Sequence, residues 1–424
     1  MRGGLTLIVG VLTGNLLGFG RVAVTAYLLG THSRADSLAV AMGPLDTLNN
    51  VLINSVLFAF VPMLTAASGR GQTALFRKLS RCFSLVSLAV AAALVLGAPW
   101  LMRVLAPGLD PQYFATSVNI LRIMALSTLA AGTGAVQSAW LYTQRRFAPT
   151  AFYQATINVC TIVAALGLWK FFGVYAFALG YTTGVCAQLG IVWFAARRGL
   201  EAAGAAESEI HWREILAKPA FFVVYAFALS LNITFTRAYA THVGPGMAAA
   251  LDYCMRGVGV PMALLVTPIS NSLLPEIARL RAPFRLREAF RLIDRTMALT
   301  ALVAVAGCAF AIAFRRPAIA LLFQHGNFTA ASTLLVSAVF LGLGPSLVGW
   351  SLLEIGSRSL FALNRAWPPV FAAVVPVLLN VILTLRMHSL APEWLGVGSS
   401  LGLLAGFAVL FLMMRVNRPK WLAR

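Results

Sequence analysis

Gly14-Asn15-Leu16-Leu17-Gly18-Phe19-Gly20-Arg21-Val22-Ala23-Val24 sets one guanidinium inside an apolar stretch that runs from about residue 5 to residue 30. Such a stretch can cross a bilayer, whose hydrocarbon core takes roughly 20 apolar residues of helix. A charge at that depth costs roughly 2.5–3.5 kcal/mol on insertion scales, so an intramembrane arginine is a candidate for function. Arg122 and Arg256 repeat the pattern in later apolar stretches. Cationic side chains kept at that cost point to a polar cavity between helices and an anionic passenger.

The rest of the chain agrees with a membrane setting. Of its 424 residues 59% are hydrophobic and 11% charged, with a mean hydropathy of +0.83. A soluble chain carries about 25% charged residues. The reading is an all-α, polytopic membrane protein. Apolar windows mark twelve spans, near 5–30, 37–66, 82–105, 114–142, 150–170, 173–196, 217–240, 247–275, 296–314, 330–363, 367–386 and 395–414.

A net charge of +20 would suit a nucleic-acid binder, but the basic residues alternate with the spans. One side collects Arg77, Lys78 and Arg81, then Arg145 and Arg146, Arg197 and Arg198, the run from Arg279 to Arg295, and Arg415 to Arg424. The other holds only Arg34, Arg103, Lys170, Arg237, Arg315, Arg316 and Arg386. The positive-inside rule then puts both termini in the cytoplasm. No nucleic acid is implied. The apolar segment at the N-terminus is too long for a signal peptide and contains Arg21, so it reads as a retained first helix.

The longest polar interval, 197–218, separates spans six and seven and divides the chain into lobes 1–205 and 206–424. The two halves repeat weakly. Span four exits through Gln144-Arg145-Arg146-Phe147-Ala148-Pro149 and span ten through Asn364-Arg365-Ala366-Trp367-Pro368-Pro369. A spacing of 220 residues superimposes the amide, the first arginine and the second proline. Asn158 and Asn380 follow in the next spans. Paired six-helix repeats are a transporter architecture, with the substrate site at their interface. The fold expected is two pseudo-symmetric six-helix lobes around a central cavity.

No metal, nucleophile or phosphate-loop motif stands out, so no enzyme and no cofactor are indicated. The five cysteines form no CxxC pair and read as packing residues. The intramembrane acids are Asp46, Asp252 and Glu354. Asp252 and Arg256 lie four residues apart on one helix face and can pair, either neutralising each other or letting Asp252 hold Arg256 toward a cavity. Arg122 reads as a brace or an interfacial side chain. Asn15, Asn49 and Asn50 accompany Arg21 as candidate polar contacts, and planar guanidinium suits a diphosphate.

At these residues the chain resembles the MurJ/MviN family of lipid II flippases, within the superfamily of multidrug, oligosaccharidyl-lipid and polysaccharide exporters. Four stretches carry the resemblance. The first runs from Leu17-Gly18-Phe19-Gly20-Arg21 through Ala35-Asp36-Ser37 to Ala59-Phe60-Val61-Pro62. The second is Arg146-Phe147-Ala148-Pro149-Thr150-Ala151-Phe152. The third joins Tyr253-Cys254-Met255-Arg256 and Val260-Pro261 to Ser272-Leu273-Leu274-Pro275. The fourth is Leu322-Phe323-Gln324-His325-Gly326-Asn327-Phe328-Thr329.

The resemblance implies a flippase that carries an undecaprenyl-diphosphate-linked saccharide from the cytoplasmic to the periplasmic leaflet of the bacterial inner membrane. It would work by alternating access, coupled to membrane potential or an ion gradient, beside cell-envelope synthesis enzymes. Arg21 and Arg256 match cavity arginines of the family, and Asp36 an acid beside the periplasmic gate. Asn15, Asn49 and Asn50 stand where the family often has basic residues, and Met255 where it commonly has an acid. The family usually adds two further spans. A cation-coupled efflux transporter and a non-transporting scaffold or degenerate paralogue are the competing readings.

Overall fold

The computed structural model describes residues 2–67, 69–198, 212–262, 266, 269, 273, 276–277, 279–280, 285–387 and 391–422. Among them the regular elements are all helical. Main-chain groups in hydrocarbon have no water to bond, so each segment must satisfy its own. The chain forms two compact units, Met1–Val223 and Val224–Arg424.

The first unit holds α1 (Arg2–Leu29), α2 (Ser33–Ala66), α3 (Gly69–Leu105) and α4 (Pro111–Thr143), then the single turn α5 (Ala148–Ala151), α6 (Tyr153–Phe172) and α7 (Tyr175–Arg197). The division falls within α8 (Trp212–Val243). After it come α9 (Met247–Pro261), α10 (Leu286–Ala313), α11 (Arg315–Phe323), α12 (Ala330–Leu343), α13 (Ser346–Ala362), α14 (Trp367–Met387) and α15 (Val397–Leu422).

Nine helices among the described residues are long and apolar enough to span a bilayer, and α12 with α13 makes a tenth span bent by 45°. Pro345 sits in that bend. These ten coincide with ten of the twelve spans read from sequence. Of the other two, 217–240 lies along α8, and 247–275 begins as α9 before running largely into residues outside the described set. Residues 199–211 of the polar interval also lie outside it. At about 1.5 Å per residue, the 37 residues of α3 extend well past a hydrocarbon core of about 30 Å. The excess carries Arg77, Lys78 and Arg81.

Capping chemistry fixes several ends. Asp110 accepts from the Gln112 N–H at 3.0 Å, with Pro111 in the first turn of α4, which satisfies one orphan donor where the missing proline N–H costs nothing. Thr329 caps α12 in the same way. The surface has the polarity of a protein dissolved in lipid: Leu96 and Phe171 are each 81% exposed, while the interior holds Asn49, Asn158, Asn232 and Asn380.

In the first unit α4 is central, packed along α2, α3 and α7, while α1 lies on α6 and α6 on α7. The α6–α7 crossing depends on Gly180 and Gly184, a small-xxx-small pair of the kind that lets membrane helices approach closely. A Cβ on Gly184 would stand 2.8 Å from the Ile157 Cα. At the α3–α4 contact the Phe76 and Trp140 rings meet at 4.8 Å. In the second unit α15 packs on α14 and α13, α13 on α10, and α12 on α9.

The internal repeat is visible in the backbone, one residue away from the register read from sequence. Arg145 and Asn364 are the two described non-glycine residues with left-handed φ, 54° and 56°. Each closes its helix with the same pair of bonds. Arg146 N–H reaches Leu141 O at 2.9 Å and Arg145 N–H reaches Tyr142 O at 3.0 Å; Arg365 N–H reaches Leu360 O at 2.8 Å and Asn364 N–H reaches Phe361 O at 3.0 Å. This is the Schellman pattern of helix termination. The spacing is therefore 219, which pairs Arg146 with Arg365 and Pro149 with Pro368. The 220-residue match of Gln144 to Asn364 is corrected: the asparagine stands where a left-handed residue is needed, a conformation asparagine tolerates.

Candidate functional site

Arg21 lies two-thirds of the way along α1 and is 7% exposed, with its Nη1 4.0 Å from the Met42 Sδ of α2. Asp36, in the first turn of α2, is 3% exposed, a position where a carboxylate complements the helix dipole. Asn15 is on the exposed face of α1. In this structure the first-unit arginine is thus covered by α2.

Asn49 and Asn50 separate. About 100° of helix lies between neighbours, and Asn49 takes the inward direction. It is fully buried and donates to Ser127 Oγ at 3.0 Å and to Tyr181 Oη at 3.4 Å, joining α2 to α4 and α7. In this structure Asn49 is thus engaged between helices and, unlike Asn50, faces no cavity.

Asn50 faces a polar seam. It donates to the Asp46 main-chain oxygen at 2.8 Å and Oδ1 at 3.3 Å, and its Oδ1 accepts from Gln154 Nε2 at 3.1 Å. Tyr181 Oη donates to Asp46 Oδ1 at 3.0 Å. Below Asn50, helices α2, α4, α6 and α7 enclose a cavity of about 230 Å³ whose polar lining includes Asn54, Tyr142, Tyr153 and Gln188.

In the second unit Asp252 is held from the neighbouring helix. Asp252 Oδ1 takes both Nη2 at 2.6 Å and Nε at 3.0 Å of Arg237, from α8. Arg256 is half-buried on α9, one turn further along. The physical reason is reach: Arg237, 7% exposed, needs a counter-charge at depth, and the α8–α9 hairpin brings Asp252 to it. Arg237, grouped above with loop residues, is a buried residue of α8. Its position inside the apolar window 217–240 was the signal available.

Glu354 pairs with Arg358 one turn on in α13, at 2.5 Å, a local neutralisation. Arg122 is exposed on α4, its Nε 3.4 Å from the Val95 carbonyl of α3; it braces a neighbouring helix.

A buried amide knot lies deeper. Asn380 Nδ2 of α14 is within 2.9 Å of Asn232 Oδ1 and 2.8 Å of Thr236 Oγ1 on α8, and Asn232 Nδ2 donates to Ser399 Oγ of α15 at 2.8 Å. Thr384 Oγ1 donates to Asn380 Oδ1 at 3.1 Å. In the first unit Asn158 of α6 donates to the Gly14 carbonyl of α1 at 3.0 Å. Both asparagines tie the penultimate long helix of a unit to its first.

Comparison with known proteins adds the family. The family model described as Lipid II flippase MurJ matches residues 25–421. A Rhizobium meliloti protein described as a probable lipid II flippase MurJ is 27% identical, covering 96% of this chain and 78% of its own. The Burkholderia cenocepacia lipid II flippase MurJ is 26% identical, covering 97% and 84%. Among solved structures, a lipid II flippase MurJ in an inward closed conformation superimposes with a TM-score of 0.84 at 18% identity, over 97% of this chain and 87% of that one. An inward-facing multidrug resistance MATE transporter gives 0.81 at 11% identity, over 98% of both chains.

Proposed function

The chain belongs to the lipid II flippase MurJ family, and from that premise we propose that it moves lipid II, or a closely related undecaprenyl-diphosphate-linked saccharide, from the cytoplasmic to the periplasmic leaflet. The observation that carries the reading is the family match over nearly the whole length. The family is one of transporters; on this reading the chain performs no chemistry on its passenger. It is a multi-pass protein of the bacterial inner membrane, with both termini cytoplasmic from the distribution of its basic loops.

Arg21 and Arg256 are proposed as the cationic contacts for the diphosphate, with Asp36 as a gate acid. Each charge-assisted hydrogen bond to such a group contributes about 1.5–3 kcal/mol. Arg21 is covered by α2 here, so contact requires the α1–α2 seam to open. That motion meets little resistance, because α1 packs chiefly on α6 and touches α2 lightly. Alternating access driven by membrane potential or an ion gradient, beside cell-envelope synthesis enzymes, completes the proposal.

The test is complementation in cells depleted of their own lipid II flippase, with a leaflet assay for lipid II. Rescue with lipid II reaching the outer leaflet is the expected result. Membrane expression without rescue would move the passenger to another polyprenyl-diphosphate-linked saccharide.

A further inference from the structure

Arg315 and Arg316 stand side by side on the basic-poor side of the chain, and the flippase reading does not use them. They open α11 with no acid in its first turn. At that end of a helix a cation opposes the dipole and an anion complements it. Both arginines line a cleft of about 440 Å³ in the second unit. One face of α12 forms its wall, through Leu334, Ala338 and Leu341 at helical spacing. The 3₁₀ turn Pro392–Trp394 closes it and contributes Glu393. Among the described residues, none of these three charged side chains makes an ion pair.

The cleft is held in shape by its neighbours. Arg315 Nη1 donates to the Ile312 carbonyl, in the last turn of α10, at 2.7 Å, which pins its guanidinium. α12 packs on both α11 and the 3₁₀ turn, so closely that a Cβ on Gly342 would run into the Glu393 carbonyl. The surroundings are those of a bilayer interface. Trp394, next to Glu393, is exposed, and tryptophan collects at the headgroup level. Just before Arg315, the exposed rings of Phe310 and Phe314 meet at 4.7 Å. Leu302 and Val305 continue the exposed apolar surface back along the spanning helix α10.

We propose that this cleft binds the headgroup of a zwitterionic phospholipid that pairs a phosphate with a primary ammonium, as phosphatidylethanolamine does. The phosphate takes the Arg315–Arg316 pair, since guanidinium offers planar, permanently charged donors to phosphate oxygens. The ammonium takes Glu393. The acyl chains follow the exposed surface of α10 from Phe314 to Leu302. The carboxylate is what selects the headgroup. Phosphatidylglycerol presents no cation to it, and the trimethylammonium of phosphatidylcholine has no N–H to donate. Free phosphate would satisfy the arginines and leave the carboxylate without a partner. A lipid bound here holds the α10–α11 junction at the headgroup level. The inference is independent of the passenger; only the leaflet, the periplasmic one, follows from the orientation proposed above.

The experiment is native mass spectrometry of the full chain in detergent. It is titrated with phosphatidylethanolamine, phosphatidylglycerol or phosphatidylcholine of identical acyl chains, and separately with inorganic phosphate. The expected result is a phosphatidylethanolamine adduct that forms at lower concentration than that of either other lipid. Arg315→Ala combined with Arg316→Ala should weaken it about tenfold, the loss of one charge-assisted contact. Glu393→Gln, at an exposed position, should erase the advantage over phosphatidylglycerol. Arg386→Ala removes another exposed arginine of the basic-poor side and should leave binding unchanged. Equal binding of phosphatidylglycerol by the wild-type chain, unaltered selectivity in Glu393→Gln, or an equal loss in Arg386→Ala would each overturn the proposal. Displacement of the lipid by inorganic phosphate alone would reduce the cleft to a simple anion site and also overturn it. No lipid transport is read, so failed complementation sinks the flippase reading alone.

Discussion

Arg237 and Asp252 form a cross-helix ion pair in which two guanidinium nitrogens, at 2.6 and 3.0 Å, converge on a single carboxylate oxygen. The arginine side chain is 9% exposed and the aspartate 31%. Removing the acid strands the better-buried charge. Asp252→Ala is therefore expected to destabilise the second unit by about 2–3 kcal/mol, below the roughly 3–5 kcal/mol of a fully buried pair because water reaches Asp252. Arg237→Met combined with Asp252→Leu should recover most of that loss. Thermal unfolding of the purified protein measures both.

The amide knot predicts an asymmetry between the halves. Asn380 serves three partners and Asn158 one carbonyl. Asn380→Ala should cost about 2–3 kcal/mol and Asn158→Ala about 1 kcal/mol, following the number of buried groups left unpaired. Gly398→Ala tests the same knot from outside, since its Cβ would lie 2.6 Å from Asn380 Oδ1 and 2.8 Å from Thr384 Oγ1. Denaturant titration that ranks Asn158→Ala as the more damaging change would refute the assignment.

At the α6–α7 crossing, Gly184→Val should lower stability by about 1–3 kcal/mol or more. The atoms it would strike are the main chain of Ile157, at 2.8 Å from Cα and 3.1 Å from O, and main chain cannot rotate away. Gly190→Ala, where nothing lies within 4 Å, should be tolerated. Comparing the melting temperatures of the two variants decides the point.

For transport, Arg21→Ala and Arg256→Ala should each abolish lipid II flipping with membrane expression intact. Arg103→Ala, exposed in the last turn of α3, should leave flipping within about twofold of wild type, as surface substitutions usually do. Normal flipping by both cavity variants would remove Arg21 and Arg256 from the site.

Much of the architecture was legible in the residues. Ten spans fell where the apolar windows put them. The repeat was found through Gln/Asn-Arg-x-x-x-Pro exits, and letter matching set Gln144 against Asn364. The backbone sets Arg145 there, because the shared requirement is a left-handed residue and not an amide. The partners of the charges were less legible. Asp252 and Arg256 share a helix face, but nothing local to α9 announces Arg237 of α8 as the cross-helix partner of Asp252.

The sequence by itself determined a helical membrane protein, ten of its spans, the existence of an internal repeat and its family. Those follow from local facts: hydrocarbon forces each segment to bond its own main chain, and caps and prolines act within a turn. Only the tertiary structure decided that Asn49 turns into the α2–α4–α7 interface while Asn50 faces the seam, and that Arg237 holds Asp252. One residue step rotates a side chain by about 100°. Which direction is inward depends on helices many residues away.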